Sequence, residues 1–289
     1  MRGERLLRLA SAASVAVALV LIVAKAVAWL YTDSISLLAS LVDSSMDAAA
    51  SLISFFAIRY ALAPADDEHR FGHGKAEAVA GLTQAAFIVG SATFLLLHAV
   101  DRVLHPAPVT ATGVGVAVTV FAIVITGGLV LLQREAVRAT GSTAIRADSL
   151  HYVGDLLMNA AIIVALLAAG AGYGALDTWF GIGIALWIAW NAWQIGGEAL
   201  QHLLDREVDG AVRTAILELV RSRPGVIDVH DLRTRLSGQQ MFVQMHLELD
   251  RDMPLWRAHE VAEDVELAIL AHFPNSEVIV HEDPAPLPE

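Results

Sequence analysis

Two runs of the sequence place ionisable side chains inside otherwise apolar stretches. In Leu41-Val42-Asp43-Ser44-Ser45-Met46-Asp47 two carboxylates lie four residues apart, which puts them on one face of a helix. His151 and Asp155 repeat that spacing in a later run. Charged groups within a membrane-length apolar helix are costly and mark functional positions by default. Facing each other, the two pairs offer one imidazole and three carboxylates, a nitrogen and oxygen set suited to tetrahedral binding of a divalent first-row metal. The imidazole makes the set softer than an all-oxygen cage for magnesium or calcium, which favours zinc. A lone aspartate often does no more than hydrogen-bond a neighbouring helix. Two pairs at matched spacing in separate helices are poorly explained that way.

The elements that must hold these residues are membrane helices. Of 289 residues, 56% are hydrophobic and 17% charged, too apolar a balance for an ordinary soluble domain. A spanning helix needs roughly 20 apolar residues, and six such stretches are legible: Leu9 to Leu30, Ile35 to Tyr60, Ala78 to Val100, Thr110 to Leu132, Ala144 to Gly170 and Trp179 to Leu203. The first follows Arg2, Arg5 and Arg8 in the manner of a secretion signal, but its apolar run is longer than an ordinary signal core and carries Lys25, so it is read as a span. Lys25 and Arg59 read as long basic side chains reaching for a polar boundary. Arg2, Arg5 and Arg8, then Arg59, Arg70 and Lys75, then Arg134, Arg138 and Arg146 fall on one side, against mainly Arg102 on the other. The positive-inside rule therefore places the N-terminus, the second and fourth connections and everything after the sixth span in the cytoplasm.

After Asp205 the composition becomes that of a small soluble domain. Val212, Ile216, Leu219 and Val220 recur at helical spacing. Ser237 and Gly238 form a turn between two strands, and in the second Val243, Met245, Leu247 and Leu249 alternate with Gln244, His246, Glu248 and Asp250. A helix from Leu255 to Phe273 ends at Pro274 and Asn275, and Val278 to His281 reads as a last strand. The expectation is a mainly α membrane protein: a six-helix transmembrane domain over residues 1–205, then a small cytoplasmic α+β domain over 206–289.

Several classes of function are excluded. The chain has no cysteine, so disulfide scaffolds, thiol nucleophiles and thiolate metal sites are absent. A net charge of -12 argues against nucleic acid as a partner. The zinc-protease pattern His-Glu-x-x-His fails at His259-Glu260-Val261-Ala262-Glu263, and no other catalytic motif is present, so the chain does not read as an enzyme.

Asp43-Ser44-Ser45-Met46-Asp47, His151-Tyr152-Val153-Gly154-Asp155 and Phe71-Gly72-His73-Gly74-Lys75 together resemble the cation diffusion facilitator family, and within it the bacterial zinc and ferrous-iron efflux pumps. The likeness extends over nearly the whole chain. It implies a homodimeric proton-coupled antiporter of the bacterial inner membrane, with both termini cytoplasmic, exporting zinc, with ferrous iron or cadmium as further cargo. Asp43, Asp47, His151 and Asp155 are then the transport site, and His151, Asp47 and Asp155 its proton carriers. The resemblance also implies a loop metal site at Asp66, His69 and His73, with Asp67 or Glu68 open as the carboxylate instead. It implies a two-metal site at His230, His246, His259, His281 and Asp283, with Asp283 bridging, and a charge lock involving Lys75 and Asp205. Solvated loop charges, scattered surface histidines, and an ordinary interfacial lysine and aspartate are the plainer readings of these three groups in turn. His98, His105, His202 and His272 show no partner pattern. A membrane-anchored metal sensor or buffer is the alternative, but an anchor has no need of ionisable groups buried in two spans.

Overall fold

The computed structural model describes residues 2–32, 35–104, 113–169 and 176–286. His105, Thr110 and Gly170 of the sequence reading lie outside them, as do the side chains of His98 and Arg102. Among the described residues, eight helices and three strands follow in the order α1 (Arg2–Thr32), α2 (Ile35–Ala61), α3 (Lys75–Leu104), α4 (Gly113–Thr140), α5 (Thr143–Ala169), α6 (Leu176–Leu203), α7 (Gly210–Arg221), β1 (Asp228–Ser237), β2 (Gln240–Leu249), α8 (Leu255–His272) and β3 (Ser276–Pro284). This is a mainly helical membrane protein with a small α+β domain at its end.

Two compact units emerge: residues 1–65 with 76–200, and residues 66–75 with 201–289. The ten-residue loop after α2 therefore belongs with the C-terminal unit, which the sequence division at 205 and 206 did not anticipate.

In the first unit α1, α2, α3 and α4 are long and apolar enough to cross a membrane, four among the described residues. Helices α5 and α6 are as long, at 27 and 28 residues. Their apolar content is comparable to that of the first four. The exposure pattern is that of a lipid-embedded bundle: Val23, Leu97, Phe94 and Trp193 point outward, whereas Ser14, Ser51, Ser54, Gln133 and Asp148 are buried. Small residues let the helices approach, as where Ala10, Ala80, Ala136 and Ala144 join Leu7, Ile58 and Ile145 in one cluster. The α4–α5 connection is set locally. Gly141 takes a left-handed conformation (φ 67°) and returns its N–H to Val137, then Ser142 Oγ accepts the N–H of Ile145 to cap α5.

The second unit is a three-stranded sheet in the order β1-β2-β3, antiparallel then parallel, with α7 and α8 on one face. Met241, Val243, Met245, Leu247 and Leu249 of β2 meet Ile216 and Val220 of α7 and Val261, Val265 and Ile269 of α8 in its core. Period-two alternation leaves Gln244, His246 and Glu248 on the opposite face. Phe242 shares that polar face and is nonetheless buried. The Phe71 ring lies against it at 5.7 Å, and the Arg235 guanidinium stacks on both rings at 5.2 and 4.6 Å.

Candidate metal sites

The first candidate site is built by α2 and α5. The Nε2 of His151 lies 2.7 Å from Asp47 Oδ1 and 3.9 Å from Asp155 Oδ2, and one ligand atom from each of the three falls within 4.8 Å of the others. Asp47 of the first pair thus faces both members of the second. Asp43 sits one turn before Asp47 and stands outside this tight group, with an exposed side chain.

Beneath the site lies a polar network that the sequence reading missed. Asp148, 1% exposed, accepts from Gln133 Nε2 at 2.8 Å and from Ser51 Oγ at 3.1 Å. Gln133 also reaches Ser14 Oγ, and Tyr152 links Ser51 Oγ to the carbonyl of Ser14. One carboxylate thereby ties α1, α2, α4 and α5 together behind the ligands. The signal was available: Asp148, His151 and Asp155 recur at i, i+3 and i+7, a single stripe of α5. A cavity of about 20 Å³ lined by Gln84, Ser91, Asp148 and His151 adjoins the network, room for one water.

The second candidate site is the loop. Asp66 Oδ1 lies 3.3 Å from His69 Nδ1 and Asp66 Oδ2 lies 3.3 Å from His73 Nε2, with the two imidazoles 4.6 Å apart. Asp66 is therefore the carboxylate brought to the histidines, while Asp67 pairs with Arg70 and Glu68 is exposed. The backbone N–H of His69 and then that of Glu68 hydrogen-bond Asp66, and with the nearby imidazoles they hold its carboxyl below the usual range.

The third lies on the open face of the sheet. Strand register places His230, His246 and His281 in one row and Asp228, Glu248 and Asp283 in a parallel one. Asp283 Oδ2 lies 2.8 Å from His246 Nδ1 and 3.4 Å from His230 Nε2, and its Oδ1 lies 3.4 Å from His281 Nε2. A carboxylate whose two oxygens serve different histidines has the form of a bridging ligand. Its hydrogen bond with His246, followed by the charges of His281, His246 and His230, holds its carboxyl below the usual range. Glu248, 3.3 Å from His230, and Asp231, 3.9 Å from His246, were not foreseen. Asp231 reaches in because a bulge between His230 and Arg233 gives it a left-handed backbone (φ 50°). His259 is exposed on α8 and is not brought to this cluster.

Lys75 Nζ lies 3.0 Å from Asp205 Oδ1, which Arg235 also approaches at 3.4 Å. Partial burial raises the Asp205 carboxyl, but Lys75 and then Arg235 outweigh it and leave it below the usual range.

A family model for the cation efflux transmembrane domain matches residues 11–204, and one for the cytoplasmic domain of cation efflux proteins matches residues 208–285. The cation-efflux pump FieF of Salmonella arizonae is 50% identical over 280 residues, covering 97% of this chain and 93% of that protein. The FieF of Salmonella schwarzengrund matches to the same extent. Among solved structures, one described as the mode of action of a putative zinc transporter, CzrB, is 27% identical, covering 27% of this chain and 99% of that one at a TM-score of 0.27. A nickel form of the MamM C-terminal domain covers 27% and 100% at 29% identity and a TM-score of 0.26.

Proposed function

We propose, from the premise that this chain belongs to the cation diffusion facilitator family of cation efflux transporters, that it is a proton-coupled antiporter exporting zinc from the cytoplasm. It is a multi-pass membrane transporter rather than an enzyme. Ferrous iron and cadmium are the further cargoes we assign to it. The observation that carries the reading is the convergence of Asp47, His151 and Asp155 within an otherwise apolar bundle, with Asp43 one turn away as the fourth ligand.

The chemistry follows from competition. Carboxylates and imidazole bind metal only when deprotonated, so metal and protons exclude each other at the same atoms. Open to the cytoplasm, the site takes a metal ion whose charge offsets the cost of carboxylates in a poorly polarisable setting. Open to the more acidic side, it takes protons on His151, Asp47 and Asp155 and releases the metal. The Asp148 network fixes the rotation of α5 on α2 while this exchange takes place.

We assign residues 206–289 a regulatory role in a homodimer. Metal on the row of His230, His246, His281 and Asp283 reduces repulsion between two acidic domains, and His259 completes that site only if it arrives from elsewhere in the assembly. The loop site at Asp66, His69 and His73 is a second cytoplasmic metal position. Lys75 and Asp205 act as a lock between the loop and the chain after α6. Relatives that are bacterial pumps, together with the basic residues on one side, support an inner-membrane location with both termini cytoplasmic.

The test is zinc flux into sealed proteoliposomes under an imposed pH gradient, with internal pH recorded, for the native chain and Asp47→Ala. Zinc moving against protons only through the intact site is the expected result. Zinc that binds stoichiometrically and never crosses would instead establish a membrane-anchored sensor.

A further inference from the structure

Within the apolar length of α1 one lysine, Lys25, breaks the pattern. A lysine near a helix end ordinarily runs its ammonium outward to the polar boundary. Here Nζ turns to α2, donating to the carbonyl of Ser40 at 3.2 Å and to Ser44 Oγ. Ser40, Ser44 and Asp47 recur at i, i+4 and i+7, one stripe of α2, and Asp43 adjoins Ser44. The ammonium is therefore anchored on the stripe that carries two of the proposed ligands, with Ser44 itself buried. Asp43 and Asp155 both lie within coulombic reach of it.

Position along the bundle gives the cation a side. Lys25 stands about 10 Å from the end of α1 at Thr32, whereas Asp47 stands about 18 Å from the start of α2 at Ile35, at 1.5 Å per residue. The ammonium, held by Ser40 and Ser44, thus lies on the α1–α2 connection side of Asp47 and level with Asp43, and the basic residues assign that side to the exterior. Charge points the same way: the ammonium offsets part of the negative charge of Asp43, Asp47 and Asp155 and so weakens their pull on a divalent ion.

We propose that Lys25 is a resident counter-ion of the transport site, a tethered cation on its outward side that competes with the metal for the carboxylates and so favours release. This rests on the assignment of Asp47, His151 and Asp155 as that site. The plainer account, in which the lysine only fastens α1 to α2, predicts no effect on metal affinity in a folded variant.

The test is zinc binding by calorimetry to the detergent-solubilised full chain, all variants at one fixed pH of about 8, in a background lacking the other sites through His69→Ala, His73→Ala, His230→Ala and His246→Ala. Lys25→Met is expected to bind zinc about tenfold tighter, with Lys25→Arg close to the native value. Ser44→Ala, which keeps the charge but removes its anchor, is expected to shift affinity the same way by a smaller factor, and it stands in if Lys25→Met does not fold. Affinities of folded Lys25→Met or Ser44→Ala within twofold of native, or weaker, would overturn the proposal. Asp47→Ala in the same background separates the two questions: retained stoichiometric binding there would sink the site assignment itself, not the role of Lys25.

Discussion

Gly74 separates His73 from Lys75, and its missing side chain is what lets the loop lie against the turn after β1. A Cβ at this position would stand 2.2 Å from the Ser237 carbonyl oxygen, 2.4 Å from its carbon and 2.8 Å from its Oγ. Ordinary contact begins at 3.4 Å, so Gly74→Ala forces the loop and the turn apart by about 1.2 Å. The obstacle is backbone, which cannot swing aside as a long side chain would. Overpacking of this kind costs about 1–3 kcal/mol. The neighbouring ion pair between Lys75 and Asp205 has both side chains more than a third exposed, at 37% and 42%, and such pairs contribute about 0.2–1 kcal/mol. The glycine contact therefore outweighs the charges in holding the loop. Hydrogen exchange read by mass spectrometry on the full-length protein provides the assay. Amides of residues 66–75 should exchange roughly 5- to 150-fold faster in Gly74→Ala, and no more than about fivefold faster in Lys75→Ala. Gly197→Ala, where an added Cβ meets nothing within 4 Å, serves as the neutral control. Equal acceleration in Gly74→Ala and Lys75→Ala, or an unchanged loop in Gly74→Ala, would refute the reasoning.

Three further outcomes are expected. His151→Asp should move preference from zinc toward manganese, because an all-oxygen set is harder; an unchanged zinc-to-manganese competition ratio in the purified protein would argue against His151 as a ligand. Asp148→Leu strands Gln133 and Ser51 in the bundle and should cost about 1–3 kcal/mol, lowering the thermal midpoint in detergent more than Asp148→Asn does; native-like melting would show that the network is not what holds α5. The Asp283 carboxyl is held below its usual range, so its pairing with His246 contributes stability that is present above about pH 4 and is lost as pH falls through the lower folded value. Ring signals of His246 in metal-free protein should therefore lose their dependence on Asp283 only below that pH, with Asp283→Asn as the reference spectrum.

What the sequence disclosed and what it hid follow from range. Spacing along one helix brought out Asp47, His151 and Asp155, because i, i+4 is a local rule and the charges stood out against an apolar background. Period two likewise put His246 and Glu248 on one face. Pairing register is non-local, so the row formed by His230, His246 and His281 waited for the sheet, and Asp231 entered through a bulge that alternation does not announce. Asp148 lay on a legible stripe but drew no notice beside the i, i+4 pairs. Lys25 was misplaced because its helix alone gives its reach and not its direction; Ser40 and Ser44, on another helix, decide that. The attachment of residues 66–75 to the C-terminal unit depends on a glycine contact with a turn more than 160 residues away, to which no window of sequence is sensitive.

That attachment also bears on how the C-terminal unit behaves when excised. Cleavage between residues 200 and 201 severs the later part of the unit from its loop, which remains covalently joined to the membrane helices. The freed piece keeps its sheet and both helices but loses the Phe71 ring from the Phe242 and Arg235 stack. An aromatic surface that the intact polypeptide keeps covered is then open to water. Self-association or sluggish solubility of such a fragment would report on that bared patch, and its dimer contacts should be compared with those of a fragment supplied with a peptide spanning residues 66–75.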